Sequence, residues 1–465
     1  MARSSSLASV SIDVAEEHQE LPRPEPDSPF HILVAGDFSG GVNRRRTPVA
    51  IDRDNFDEVL TRLAPEVRLP IGGGEVAIRF RELDDFHPDR LFERLEPFRA
   101  MRSLRRRLED RATFAAAAAE IAPRNLPAVP PGKPPADVSG ADVLRMMMGE
   151  APEPRPVAPR ESDWDRMLRE LVAPYAEPSP DPRQPEMIAQ TDRAITGQMR
   201  AILHHPRFQA LESAWRGLSF LARRLETGDD LKIYLLDMPQ AEAVTAAGLA
   251  ELRRIAVDEA ARTPGAQPWA VIVGLYSFDL EQEDALAAMA AIARGAGAPL
   301  LAGLAPDVVG LARAFQAVRR SGDARWIGLA LPRFLLRLPY GKDTDSAETF
   351  AFEEMPSPPE HERYLWGHPA LACACLLGEA FAQQGWEMRP GMVSEIDGLP
   401  IHVYRRDGES ELKPCAEVLL TEDAAELLLD RGFMPLASIK GTGRVRVVRF
   451  QSVADPLARL AGRWS

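Results

Sequence analysis

Four short, nearly uninterrupted apolar runs punctuate the middle of this 465-residue chain, at 231–238, 269–276, 299–304 and Trp326–Leu331. Runs of that length suit strands buried on both faces, which lack the alternation of a strand with one wet face. The intervals between them, near 240–262, 281–294 and 307–320, carry the apolar spacing of helices. A strand, a helix and a parallel strand join through a right-handed crossover. The pattern therefore predicts an α/β fold with a mostly parallel, doubly wound sheet flanked by helices. Helices at 185–204 and 207–225 lead into it, the second with Phe208, Leu211, Trp215, Leu218 and Leu225 on one face. A helix at 363–384, apolar nearly all round, and another beginning near Asp423 follow it.

The length leaves room for more than one domain. A buried-type strand at His31–Ala35 ends in GDFSGG, and a helix capped by Asp52 or Asp54 runs to Leu63 with Phe56, Val59, Leu60 and Leu63 as its apolar stripe. Glu75–Arg81 alternates as a strand, and two helices broken at Pro97 follow. Residues 22–121 thus read as a small α/β domain linked to the larger one at 185–465. Residues 122–184 are a proline-rich linker with short helices, among them Trp164–Tyr175. Within it the apolar side chains of Val143, Leu144, Met147 and Met148 have the form of a docking peptide or of a segment that packs on its own protein. Residues 1–21 hold the alternating LASVSIDV, in which Val10, Ile12 and Val14 share a face. This reads either as a loose tail or as a strand needing another sheet's edge.

Doubly wound sheets often hold nucleotides, but the near-motifs here all fail. GAGAPL (295–300) precedes a strand where a dinucleotide fingerprint follows one, and HERYL (361–365) has Leu365 where a zinc-protease helix needs histidine. Asp343 and Asp345 begin a calcium loop without its later ligands. His204 and His205 close a helix with no carboxylate or cysteine spaced to assist, and GDFSGG is a plain turn. No catalytic, cofactor-binding or metal-binding residues are expected, and the chain does not read as an enzyme. Cys373, Cys375 and Cys415 are too few for a disulfide framework and read as packing residues. A net charge of -13 argues against nucleic acid, so the arginines at 44–46, 102 and 105–107 are expected to face solvent or to pair with carboxylates. The N-terminus lacks the apolar core of a signal peptide, and no stretch is long enough to insert in a membrane, which predicts a cytoplasmic protein.

The run from Pro332 to Gly341, PRFLLRLPYG, leaves the last apolar strand and enters an acidic loop. Two prolines and a glycine so close together forbid a continuous helix and ask for a fixed, irregular path, and the leucines and arginines suit subunit packing.

That run, with ILHHPRFQALESAWRGLSFL (202–221), LKIYLLDM (231–238), RYLWGHPALACACLLGEAFAQQGW (363–386) and DRGFMPLASIKGT (430–442), resembles the large subunit of the type VI secretion contractile sheath. VSIDVAEEHQELP, PFHILVAGDFSG and TPVAIDRDNFDEVLTRLAP, between residues 10 and 65, resemble the small sheath subunit. The chain is similar to a fusion of the two, shortened at the C-terminus. The resemblance implies a structural protomer that assembles around an inner tube and contracts to drive it out. Its implied partners are copies of itself or a separate sheath subunit, the inner-tube protein, baseplate components and the AAA+ recycling ATPase. It implies that Val10, Ile12 and Val14 lie on a donated strand, that Arg333, Phe334, Leu335, Arg337 and Tyr340 belong to an interface, and that Val143–Met148 is the handle for the ATPase. The shortened C-terminus leaves a second expectation, an adaptor or end-piece that binds sheath, baseplate or ATPase without polymerising.

Overall fold

The computed structural model of the chain describes residues 24–41, 46–71, 74–121, 181–259, 267–308 and 314–464. The donated strand at Val10, Ile12 and Val14, the helix with Val143, Leu144, Met147 and Met148, the helix at 164–175 and Arg44 and Arg45 lie outside the described residues. The chain divides into two compact units, one of Met1–Leu95 with Thr196–Ser465 and one of Glu96–Ile195.

The first unit is built on one sheet. Strands β1 (Phe30–Gly36), β5 (Leu231–Asp237), β6 (Trp269–Phe278), β7 (Leu300–Leu304) and β8 (Ile327–Leu331) run parallel in the order β5-β1-β6-β7-β8. Numbered along the chain this is the 2-1-3-4-5 order of one doubly wound family of folds, with the switch between β1 and β6. Antiparallel β2 (Val49–Ile51) closes the sheet beside β5. On the other side β14 (Met434–Ser438) pairs parallel to β8, and β15 (Val445–Val447) and β11 (Glu395–Ile396) follow antiparallel. The outermost strands are only two and three residues long, which limits edge-to-edge pairing.

The sequence reading sets residues 22–121 apart as a domain, whereas the structure places β1 inside the sheet, between β5 and β6. All seven residues of β1 are buried, and it bonds to strands more than 190 positions away on both sides. A strand apolar on both faces has no stable place at an edge or in a two-stranded ribbon, so its burial requires the later strands. Smaller pieces of 24–95 remain local: α1 (Phe56–Leu63), the hairpin β3 (Glu66–Ile71) with β4 (Gly74–Arg79), and α2 (Pro88–Arg94).

Helices cover both faces of the sheet. Leu33, Ala35, Ile272, Leu300, Ala302 and Leu329 share a core with α7 (Ala246–Arg253) and α8 (Glu283–Ala296). Residues of opposite parity, Ile32, Val34, Val271, Val273 and Leu301, are buried on the other face. There α9 (Pro369–Gln384) packs against β1, β6, β7 and β8 and against α6 (Pro206–Arg224). Helix α9 is buried at 12 of its 16 residues, Cys373 and Cys375 included. It approaches α6 closely because of two glycines. A Cβ at Gly217 would stand 2.5 Å from Leu371, and one at Gly378 would stand 2.8 Å from Leu225.

Several expected elements shift. The helix expected at 363–384 starts at Pro369, because Trp366–Gly367 (β10) pairs with Phe334–Leu335 (β9) and His368 caps the helix. The helix expected at 240–262 is a single turn, then α7 capped by the Thr245 hydroxyl, then a π-turn to Asp258. At 307–320 the described residues hold only short turns. Asn55, not Asp52 or Asp54, precedes α1, while Asp52 accepts the Asp54 and Asn55 N–H groups. The break expected at Pro97 falls at Leu95. Pro97 sits in the next helix's first turn, where its missing N–H costs nothing.

In the second unit, α3 (Glu96–Glu109), α4 (Phe114–Ile121) and the start of α5 (Gln184–Leu203) enclose Leu108, Phe114, Ala117 and Ala118. Arg105 pairs with Asp192 and Arg107 with Glu120, each at 2.6 Å.

Candidate functional site

The sharpest electrostatic feature of the first unit lies beneath the segment 332–354. After β8, Pro332 breaks the strand, β9 pairs with β10, and the chain then turns inward at Arg337. Arg337 inserts its guanidinium between two carboxylates. Nε lies 2.8 Å from Glu212 Oε1 on α6, and Nη1 lies 2.7 Å from Glu354 Oε2. Second bonds to each carboxylate at 3.3 and 3.2 Å make both contacts bidentate. Glu212 is 0% and Glu354 1% exposed, so neither carboxylate has water as an alternative partner.

The network is closed by its neighbours. Arg216, one helical turn after Glu212, donates to Glu212 at 2.7 Å and to the Tyr340 hydroxyl at 2.9 Å. The Tyr340 N–H donates to Glu354 at 2.8 Å, and the Glu354 N–H donates back to the Tyr340 carbonyl at 2.8 Å. His204 Nε2 stands 3.3 Å from Glu354, and Arg337 lies 4.1 Å over the Tyr340 ring. Two arginines thus balance two glutamates, which is how buried charge is tolerated. Burial alone would raise the Glu354 carboxyl, but Arg337, His204 and the Tyr340 N–H hold it down to about 2. Burial pushes the Tyr340 hydroxyl up to about 12 against the pull of the two arginines.

These contacts fasten the irregular segment to α6, the helix that leads into β5. The residues expected at an interface are therefore placed mostly inside the chain. Phe334, Leu335 and Tyr340 are buried, Arg337 is 10% exposed on its side chain, and only Arg333 reaches solvent. Arg333 itself holds Glu417 in a forked pair, with Nε 2.9 Å from Oε2. Sequence reasoning found Arg337 and Tyr340 but missed Glu212, Glu354, Arg216 and His204. Its one available signal was Glu212, a carboxylate next to Leu211 within an apolar face, with Arg216 four residues on.

The turn GDFSGG is likewise a fastening. Asp237, at the end of β5, accepts the N–H groups of Phe38 and Ser39 at 2.9 and 3.1 Å, and the Trp215 indole donates to the Phe38 carbonyl at 2.8 Å. Burial raises the Asp237 carboxyl. A cavity of about 380 Å³ opens at the carboxyl ends of β1 and β6, where doubly wound sheets hold ligands. Two of its polar side chains are engaged with the protein. Ser213 donates to the Trp366 carbonyl at 2.7 Å, and His368 Nε2 is 3.1 Å from the Tyr276 carbonyl. Burial, with Arg333 adding to it, lowers His368 to about 4. No cluster of three or more metal-ligating side chains occurs among the described residues, and none of their helices is long and apolar enough to cross a membrane.

The first unit is thus a doubly wound α/β body whose irregular segment is fastened to a helix by buried ion pairs. Comparison with known families makes that specific. The family model described as "VipB: EvpB/VC_A0108, tail sheath N-terminal domain" matches residues 185–316 and 312–454, and the chain belongs to that family. The model described as "Type VI secretion system, VipA, VC_A0107 or Hcp2" matches residues 10–121. The chain therefore joins small-subunit and large-subunit sheath parts. Among curated proteins, the type VI secretion system sheath protein TssC1 of Pseudomonas aeruginosa is 33% identical over 304 residues, 58% of this chain and 61% of that protein. The chain thus spans about three fifths of that relative's length. Among solved structures, a chain of the six-fold symmetrised cryo-EM baseplate of the anti-feeding prophage is 16% identical. The match covers 52% of this chain and 51% of that one at a TM-score of 0.31, too slight a likeness to bear on function. The family is one of sheath proteins and not of enzymes.

Proposed function

We propose that the chain is a sheath protomer of a type VI secretion machine, working in the cytoplasm, that assembles around an inner tube and contracts to expel it. The observation that carries this reading is the position of β1. A strand from the part matching the small-subunit model sits between β5 and β6 of the part matching the large-subunit model. One covalent chain thereby contributes strands from both sheath components to a single sheet. The charged fastening around Arg337 supports the same reading, because a protomer that transmits contraction needs an element that moves with its sheet. In this reading Phe334, Leu335, Arg337 and Tyr340 shape the interface from beneath, and Arg333 with Glu417 reaches its surface. Val10, Ile12 and Val14 would supply a strand to a neighbour, and Val143, Leu144, Met147 and Met148 the handle for a recycling AAA+ ATPase. Baseplate components would meet one end of the assembly.

Negative-stain electron microscopy of the purified chain, alone and with its cognate inner-tube protein and any separately encoded small subunit, tests the proposal. Hollow tubes of regular cross-section are the expected result. Monomers or small oligomers under every mixture would overturn it in favour of an adaptor.

A further inference from the structure

Lys413, at the end of the hairpin strand β13 (Glu409–Lys413), belongs to a cluster unconnected with the fastening around Arg337. Its Nζ lies 2.7 Å from His361 Nδ1, and His361 Nε2 lies 3.7 Å from Glu417 Oε1. Carboxylate, imidazole and amine are thus arranged in series. Glu417 stands beyond hydrogen-bond distance of the ring and is held by Arg333, so the close contact is the one between the imidazole Nδ1 and the amine. A base within hydrogen-bond distance of a nucleophile activates nucleophilic side chains in general.

Lys413 is half-buried, and that burial lowers its proton affinity although Glu417 and Glu362 oppose the shift. The rings of Tyr364 and Trp366 lie 5.3 and 5.5 Å from Nζ. That is near the outer limit of ~6 Å for cation–π attraction, so they stabilise the ammonium weakly. Lys413 is only half-buried, so the residue is not closed off from solvent. Tyr364 is fixed by its hydroxyl, 2.6 Å from His402 Nδ1 on the opposite hairpin strand. The other lysines at positions with described side chains, Lys232, Lys342 and Lys440, have no imidazole within hydrogen-bond distance.

We propose that Lys413 is an acylation site, modified directly by small activated acyl donors of the acyl-phosphate class. The amine attacks the acyl carbon, the new N–C bond forms, the C–O bond to phosphate breaks, and inorganic phosphate leaves with the electron pair. The Nζ proton passes to His361 Nδ1 and from there to solvent. Acylation removes the charge on Lys413 and replaces the amine that donates to His361 with an amide, so it also loosens the hairpin from the segment 361–366.

The test is limiting-reagent labelling of the full chain with acetyl phosphate at neutral pH, with peptide mapping of every lysine. Lys413 is expected to label faster than Lys342 and Lys440. His361→Asn keeps a hydrogen-bond acceptor near the Nδ1 position but no base, and should slow labelling at Lys413 by about tenfold or more while leaving the other lysines unchanged. Labelling of Lys413 no faster than the exposed lysines would overturn the proposal. So would a His361→Asn protein, folded by circular dichroism, that labels Lys413 at the original rate.

Discussion

The central sheet and the segment 332–354 are held by opposite means. In β1, β6, β7 and β8 the strands are almost wholly apolar and buried on both faces, and their position is set by hydrogen-bonded register and side-chain volume. The segment after β8 has no ladder of comparable length. It is positioned by Arg337, Glu212, Glu354, Arg216 and Tyr340, a handful of polar side chains of which the two carboxylates and the tyrosine are fully buried. The sheet distributes its stability over many interchangeable contacts, whereas the segment concentrates it in a few that have no substitutes. A body built this way can accept drift in its core and still depend on single charges where its irregular element is attached.

The largest effect should follow from breaking the charge balance. Arg337→Met leaves two buried carboxylates facing only Arg216 and His204 and should cost about 3–5 kcal/mol in urea unfolding. The double substitution Arg337→Met with Glu354→Gln restores neutrality and should recover part of that loss. A double variant as unstable as the sum of the two singles would show that shape, not charge, holds the segment.

A second effect tests whether the sheet side is free of titrating weak points. His368 at the head of α9 and His31 in β1 are both lowered to about 4 in the folded state, by burial first and then by Arg333 and Lys232 respectively. The unfolded chain takes up these protons from pH 6.5 downward and the folded chain only near 4, so stability falls as pH drops through that window. Each loss is at most about 3 kcal/mol. Glu354 adds its own loss only below its unfolded value of 4.5, on the way to about 2. His368→Asn keeps a capping acceptor for Ala370 N–H and should flatten the profile between pH 6.5 and 4. An unchanged slope would assign the acid sensitivity elsewhere.

The smallest effect belongs to the core itself. Ile272→Val, in the middle of β6, should cost about 0.5–1.5 kcal/mol, well below Arg337→Met. Equal losses would erase the contrast between the two regions.

What the sequence made legible follows the same division. The parallel strands announce themselves because burial on both faces leaves an unbroken apolar run, and β5, β6, β7 and β8 lie where those runs are. The partners of β1 were not legible, since an apolar run states that a strand is buried without saying between which neighbours. The starts of α2, α6 and α9 carry a signal that periodicity alone passes over. Each begins with His-Pro, the histidine Nδ1 accepting the N–H two residues on, at His87, His205 and His368. Arg337 was singled out for its surroundings, but its carboxylate partners lie 125 and 17 positions away in sequence. Spacing does not encode a contact that only the fold closes.

The central claim is that the small-subunit-like stretch is an integral strand of the large-subunit-like sheet. Its most direct test is a protease site engineered within residues 122–180, followed by cleavage of the full chain and size-exclusion chromatography under native conditions. The two fragments should co-elute and part only in denaturant, because β1 bonds to β5 and β6 along its length. Two separately eluting, folded fragments would contradict the shared sheet and with it the case for a single fused protomer.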